Sequence, residues 1–159
     1  MDKASVLAAL RARLAHDFRT AAQSQQRTQL GATHEESRPE NDKDTRALEA
    51  SYLARGQAQR VAELEAALRT LAALELKPIA ADAAIALSAL VLVEDHSGLT
   101  TYFISPTGGG LDLDVTGNRV LVVTPQSPIG RTLLGRRSGD SIEVRTPRGL
   151  HEYEIVGVT

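Results

Sequence analysis

A chain of 159 residues with 42% apolar side chains can bury one core or two small ones, and five aromatic rings without a tryptophan leave that core to aliphatic side chains. The absence of cysteine excludes disulfides, thiol catalysis and cysteine-ligated metal. No apolar run approaches the ~20 residues of a membrane span and no signal-like segment opens the chain, so a soluble cytoplasmic protein without a membrane partner is expected. The formal net charge of -2 conceals a basic first helix and an acidic turn after it, which argues against a uniform nucleic-acid-binding surface.

From about Ser5 to Leu30, apolar residues at Leu7, Leu10, Leu14, Phe18 and Ala21 recur three or four apart, the period of an amphipathic helix. A second such run extends from about Thr45 to Glu75 through Ala47, Ala50, Ala54, Gln57, Val61, Leu64, Leu68 and Leu71. The leucines cluster at the start of the first run and at the end of the second. Antiparallel pairing therefore sets leucine against leucine at one end and small or polar residues against each other at the other. Between the runs lies Glu35-Glu36-Ser37-Arg38-Pro39-Glu40-Asn41-Asp42-Lys43-Asp44, with five carboxylates in ten residues. Carboxylates held together repel, and that cost is tolerable in water or beside a cation. The plainer alternatives are a solvated connector, and Asp42 or Asp44 as the N-cap of the second helix.

After Pro78 the period changes. Ala80 to Ala84 reads as a turn, Ala86 to Glu94 and Leu99 to Ile104 as strands, and Arg119 to Thr124 as a strong strand beyond the Gly108-Gly109-Gly110 and Thr116-Gly117-Asn118 turn signals. Ser127 to Gly135 reads as a short helix with Ser127 as N-cap, Pro128 at its first position and Gly135 at its stop. Ser141 to Thr146 and Leu150 to Val158 alternate apolar and polar across Pro147-Arg148-Gly149 and form a hairpin. The expected fold class is α+β: a coiled-coil hairpin over residues 1–77, then a small antiparallel β domain wrapped on a short helix over 78–159.

The four histidines, His16, His34, His96 and His151, fall one per segment without ligand spacing, which gives no support to a histidine metal site or a Ser-His-Asp triad. The triple glycine lacks the context of a phosphate loop, and the Arg136-Arg137 pair reads as solvated. Only the acidic turn is left as a candidate for chemistry.

Ser127-Pro-Ile-Gly-Arg-Thr-Leu-Leu-Gly135, followed by Gly139-Asp140, Arg145-Thr-Pro-Arg-Gly149 and Tyr153-Glu-Ile155, resembles the C-terminal domain of the bacterial GreA/GreB transcript cleavage factors. The resemblance extends over roughly residues 45 to 159 and includes Arg60 to Leu68. It implies an antiparallel coiled coil followed by a domain similar in fold to FK506-binding proteins. It further implies a monomeric accessory factor, not itself an enzyme, whose partners are RNA polymerase and the nascent RNA of the elongation complex. The globular domain would dock at the rim of the polymerase secondary channel, with Ser127, Pro128, Ile129 and Arg131 as docking residues. The coil tip would reach the active centre and stimulate cleavage of backtracked RNA.

In the resembling family, tip acids share a Mg2+ ion with the polymerase, and no cofactor is bound by the factor alone. Alignment on Arg60 to Leu68 puts Glu40 at the first acidic position and Lys43 at the second. Glu40, Asp42 and Asp44 are thereby the implied catalytic candidates, with Glu40 and Asp44 as metal ligands if the second helix begins at Glu40, or Asp42 and Asp44 if it begins later. Lys43 keeps open an alternative, a channel-binding regulator that does not support cleavage. Arg11, Arg13, Arg19 and Arg27 are either an RNA-facing stripe or a solvated face. A peptidyl-prolyl isomerase needs an aromatic pocket that Tyr102, Phe103 and Tyr153 do not easily furnish. A coiled-coil adaptor without polymerase binding is the remaining reading.

Overall fold

The computed structural model describes residues 1–32, 45–80, 82–146 and 149–159. Two helices, α1 (Lys3–Ala32) and α2 (Thr45–Ala72), precede strands β1 (Leu90–Asp95), β2 (Gly98–Ile104), β3 (Asp112–Val115) and β4 (Asn118–Val123). A short helix α3 (Pro128–Leu133) and strands β5 (Ser141–Thr146) and β6 (Gly149–Val158) complete the α+β fold. The chain divides into two compact units, Met1–Arg11 with Thr70–Thr159, and Ala12–Arg69.

In the first unit, Asp2 caps α1: its carboxylate accepts from the Ser5 N–H at 2.9 Å and the Ser5 hydroxyl at 2.5 Å. Val6 and Leu10 of α1 and Leu71 of α2 are fully buried there. The Arg11 guanidinium donates to the Leu71 carbonyl at 2.6 Å, and the Lys3 ammonium to the Lys77 carbonyl at 2.7 Å. Helix α2 stops at Ala72 rather than running to Glu75, because Leu74 N–H closes a tight turn onto the Leu71 carbonyl ahead of Pro78.

The sheet order is β3-β4-β2-β1-β6-β5. All pairings are antiparallel except β2 with β4, which run parallel through Thr101↔Val120 to Ile104↔Val123. The expected antiparallel sheet is thus corrected to a mixed one. After β2 the chain crosses to the outer edge as β3, and the Thr116-Gly117 hairpin returns β4 into the gap beside β2, in the same direction as β2. Strand β1 begins at Leu90, four residues later than Ala86, because Ala86 to Ala89 form a turn in which Ser88 takes a left-handed φ of 68°. Its buried hydroxyl accepts from Lys77 N–H at 3.4 Å.

Both faces of the sheet carry apolar side chains, and the second also carries Glu94, Glu143, Glu152 and Glu154. One carries Val91, Val93, Tyr102, Ile104, Ile142, Val144 and Ile155, packed with Leu133 of α3 in a single core. The other holds the buried row Leu90, Phe103 and Val122, with Val120 and Leu113 in the next row. Met1 flanks a groove on that face lined by Leu90, Leu92 and Thr101.

In the second unit Leu14 and Leu64 are buried, whereas Leu48, Tyr52 and Leu53 are exposed. Gln57 of α2 donates to the Ser24 hydroxyl of α1 at 3.2 Å. From Lys3 to Arg11 along the first helix, the partner runs back from Lys77 to Leu71, so the helices run antiparallel. The leucine-rich end and the polar end fall as their periodicities predict. At 30 residues, α1 is about 45 Å long.

The unequal burial has a measurable consequence. Leu10→Ala should cost about 2–5 kcal/mol in urea unfolding, whereas Leu53→Ala should stay within about 0.5 kcal/mol.

Candidate functional site

The loop from β4 into α3 is built around one serine and two glycines. Ser127 has extended backbone, and its hydroxyl accepts from Gly130 N–H at 3.1 Å while donating to the Thr124 carbonyl at 2.8 Å. The Thr124 carbonyl also receives Ser127 N–H at 3.0 Å, and the Ser127 carbonyl receives Arg131 N–H at 2.9 Å to open the helix. Pro128 follows the cap, where a missing N–H costs nothing. Gly130 is required by contact: a Cβ there would lie 2.0 Å from the Thr124 carbonyl oxygen. Gly109 packs on the other side of the same residue, its position leaving 2.9 Å between a Cβ and Thr124 Cγ2. The triple-glycine turn therefore closes onto the α3 loop.

This geometry divides the four docking candidates. Ser127 spends its hydroxyl on the cap, and Ile129 is half-buried against the core that contains Leu133. Pro128 and Arg131 are exposed. Beyond α3, Gly135 N–H and the Arg136 carbonyl bond the backbone of Ile85 at 2.9 and 2.8 Å, and Arg137 donates to the Asp82 carbonyl. The Gly139-Asp140 turn locks onto β6, with Gly139 N–H to the Ile155 carbonyl at 2.7 Å and Ile155 N–H to the Asp140 carbonyl at 2.9 Å.

Glu40, Asp42 and Asp44, with Lys43 among them, lie outside the described residues; they fall in the segment 33–44 that joins α1 to α2. Among the described residues, no group of three or more His, Asp or Glu side chains is arranged to hold a metal ion.

The strands gather one group that linear spacing did not signal. The rings of His96 and His151 stack with centroids 6.5 Å apart, and His151 continues to Tyr153 at 6.4 Å. The pairing of β1 with β6 brings the β1–β2 turn, which carries His96, beside His151. Asp95 is held below the usual carboxylate range by the Ser97 hydroxyl and N–H at 2.5 and 2.8 Å. Beneath the row, burial pushes the Tyr102 phenol up to about 12, with Tyr153 and Asp95 adding to the shift.

In this chain a capped short helix packed on a six-stranded mixed sheet follows two long helices, and its sequence relatives are transcription elongation factors. Residues 84–159 match the family model described as transcription elongation factor, GreA/GreB, C-term. The transcription elongation factor GreA of Rhodospirillum rubrum is 43% identical over 68 residues, covering 43% of this chain and 40% of that protein. GreA of Syntrophus aciditrophicus is 29% identical over 119 residues, covering 75% of this chain and 69% of the relative. Among solved structures, GreA factor homolog 1 of Thermus thermophilus covers 94% of each chain at 22% identity, with a TM-score of 0.40. This chain is similar to the GreA/GreB family over residues 84–159. It spans well under half the length of the Rhodospirillum rubrum protein it matches.

Two outcomes follow. Gly130→Ala should destabilise by about 3 kcal/mol or more in thermal or urea unfolding, against about 1 kcal/mol for Ser127→Ala. Because folding raises the Tyr102 pKa from 10.0 to about 12, the folded state binds the phenolic proton more tightly. The contribution of Tyr102 to stability is constant below pH 10 and falls as pH rises from 10 to about 12, a loss that Tyr102→Phe should remove from an alkaline unfolding series.

Proposed function

We propose that this protein binds RNA polymerase through its secondary channel and stimulates hydrolysis of backtracked RNA by the polymerase active centre. The observation that carries this reading is the GreA/GreB match of residues 84–159 in a chain whose α1 and α2 run antiparallel and are joined by the acidic segment. In this reading the protein is an accessory factor and not an enzyme, and it works as a cytoplasmic monomer. No described helix is long and apolar enough to cross a membrane.

The chemistry follows from the residue types. Glu40, Asp42 and Asp44 are hard oxygen donors, and Mg2+ in a shared site needs only one or two protein carboxylates. When bound, the ion supplies positive charge for the phosphoryl oxygens and lowers the pKa of water. Glu40 with Asp44, or Asp42 with Asp44, hold their side of that site and orient the attacking water, while polymerase provides the other ligands. Pro128 and Arg131, exposed beside the capped turn, dock on the channel rim; Ser127 and Ile129 keep that surface in shape. Arg131 offers a planar donor set suited to a carboxylate.

A second reading rests on Lys43, the cation between Asp42 and Asp44. It reduces the negative charge available for Mg2+ and favours a regulator that occupies the channel without supporting cleavage.

The test is RNA shortening in stalled elongation complexes of the cognate polymerase. Wild type should accelerate it, and Glu40→Ala, Asp42→Ala and Asp44→Ala should identify the working pair by losses of about tenfold or more with polymerase binding retained. Polymerase binding that inhibits synthesis, with no cleavage and no effect of these substitutions, selects the second reading. Absence of polymerase binding overturns both.

A further inference from the structure

Two adjacent residues of α2, Gly56 and Gln57, are poorly suited to a closed hairpin. Gly56 sits in the interior of α2, and a Cβ added there would meet nothing within 4 Å. Its φ is not in the left-handed region, so neither backbone conformation nor packing calls for glycine. In a helix interior glycine is the weakest residue after proline, and alanine fits this position without displacing a neighbour.

The next residue is as unusual. Gln57 donates through Nε2 to the Ser24 hydroxyl at 3.2 Å, but its Oε1 is shielded from solvent and has no hydrogen-bond partner. A shielded acceptor without a donor is a local cost to the closed state that opening relieves, because water then satisfies it. Glycine and the unsatisfied amide therefore weaken the hairpin at the same rung.

The two sides of that rung differ in what else holds them. Toward the base, Leu64 and Leu14 are buried, and Arg69 pairs with Glu65 at 2.6 Å. Toward the acidic segment, Leu48, Tyr52 and Leu53 are 57%, 64% and 58% exposed, so the largest apolar side chains there contribute little burial. The part of α2 before Gly56, Thr45–Arg55, is shorter than the roughly 12 to 15 residues at which an isolated helix becomes even marginal in water.

We infer that the hairpin opens in two independent steps divided at Gly56-Gln57: residues 45–56 open locally while 58–72 stay closed. The inference concerns the hairpin alone and stands whether or not the acidic segment supports cleavage.

Hydrogen exchange on the full-length protein tests it, with Gly56→Ala and Gln57→Leu as variants that preserve or improve helix formation. Amides of residues 45–56 should exchange at least about tenfold faster than those of 58–72 after correction for intrinsic rates. Gly56→Ala should slow the 45–56 amides about fivefold, the factor that the change in helix propensity carries, and leave 58–72 unchanged. Gln57→Leu should also slow the first group selectively. Equal protection on the two sides, or a slowing shared by both groups, would overturn the inference.

Discussion

A sheet that carries apolar side chains on both faces must shield them from water on both sides, and most other features of the first unit follow from that constraint. Helix α3 supplies one cover through Leu133, against Ile142, Val144 and Ile155. To seat it closely, the chain turns through Thr124, Ser127 and Gly130 with too little room for a methyl group at Gly130. The opposite face buries Leu90, Phe103 and Val122, and the first turns of α1 belong to the same compact unit, with Val6 and Leu10 fully buried. The ends of the hairpin belong to the same compact unit as the sheet and are tied to each other by Arg11 to Leu71 and Lys3 to Lys77.

Away from that anchor the balance shifts from burial to polarity. Leu14 and Leu64 are buried, then Ser24 and Gln57 face each other, and the apolar residues beyond are exposed. Such a gradient suits an element whose base must be fixed and whose far end must adapt to a partner. Charge patterning also separates roles. On the sheet, Glu94 lies opposite Glu154 and Glu143 opposite Glu152, like-charge pairs that weaken the ladder and repel nucleic acid. RNA contact through that face is therefore unfavourable.

The readable parts of the sequence were those governed by local rules. Ser127-Pro128 announced its helix because capping and the missing proline N–H are local, and the β5–β6 hairpin followed from alternation on either side of a Pro-Arg-Gly turn. The leucine gradients gave the pairing sense of α1 and α2 for the same reason. What was not readable depended on strand neighbours. Arg119 to Val123 alternates identically whether β4 pairs parallel or antiparallel, so the pattern could not reveal that β4 lies parallel to β2. The start of β1 was misplaced because Ala86 and Leu87 extend an apolar run, while the left-handed turn at Ser88 needs its buried contact with Lys77. His96 and His151 meet only through the β1–β6 pairing. For the candidate site, chemistry was legible in Glu40, Asp42 and Asp44 as residue types, and the docking set divided only once Ser127 and Ile129 were seen to face inward.

The proposed function requires the acidic segment to work at the active centre of RNA polymerase. The natural chain has no cysteine, so Asn41→Cys creates a unique attachment point for an iron chelate while leaving every carboxylate in place. In a complex with the cognate polymerase, locally generated hydroxyl radicals should cut polymerase backbone next to its catalytic Mg2+ ligands. Cuts confined to the outer surface of the polymerase, or none above a free-chelate control, would contradict the claim.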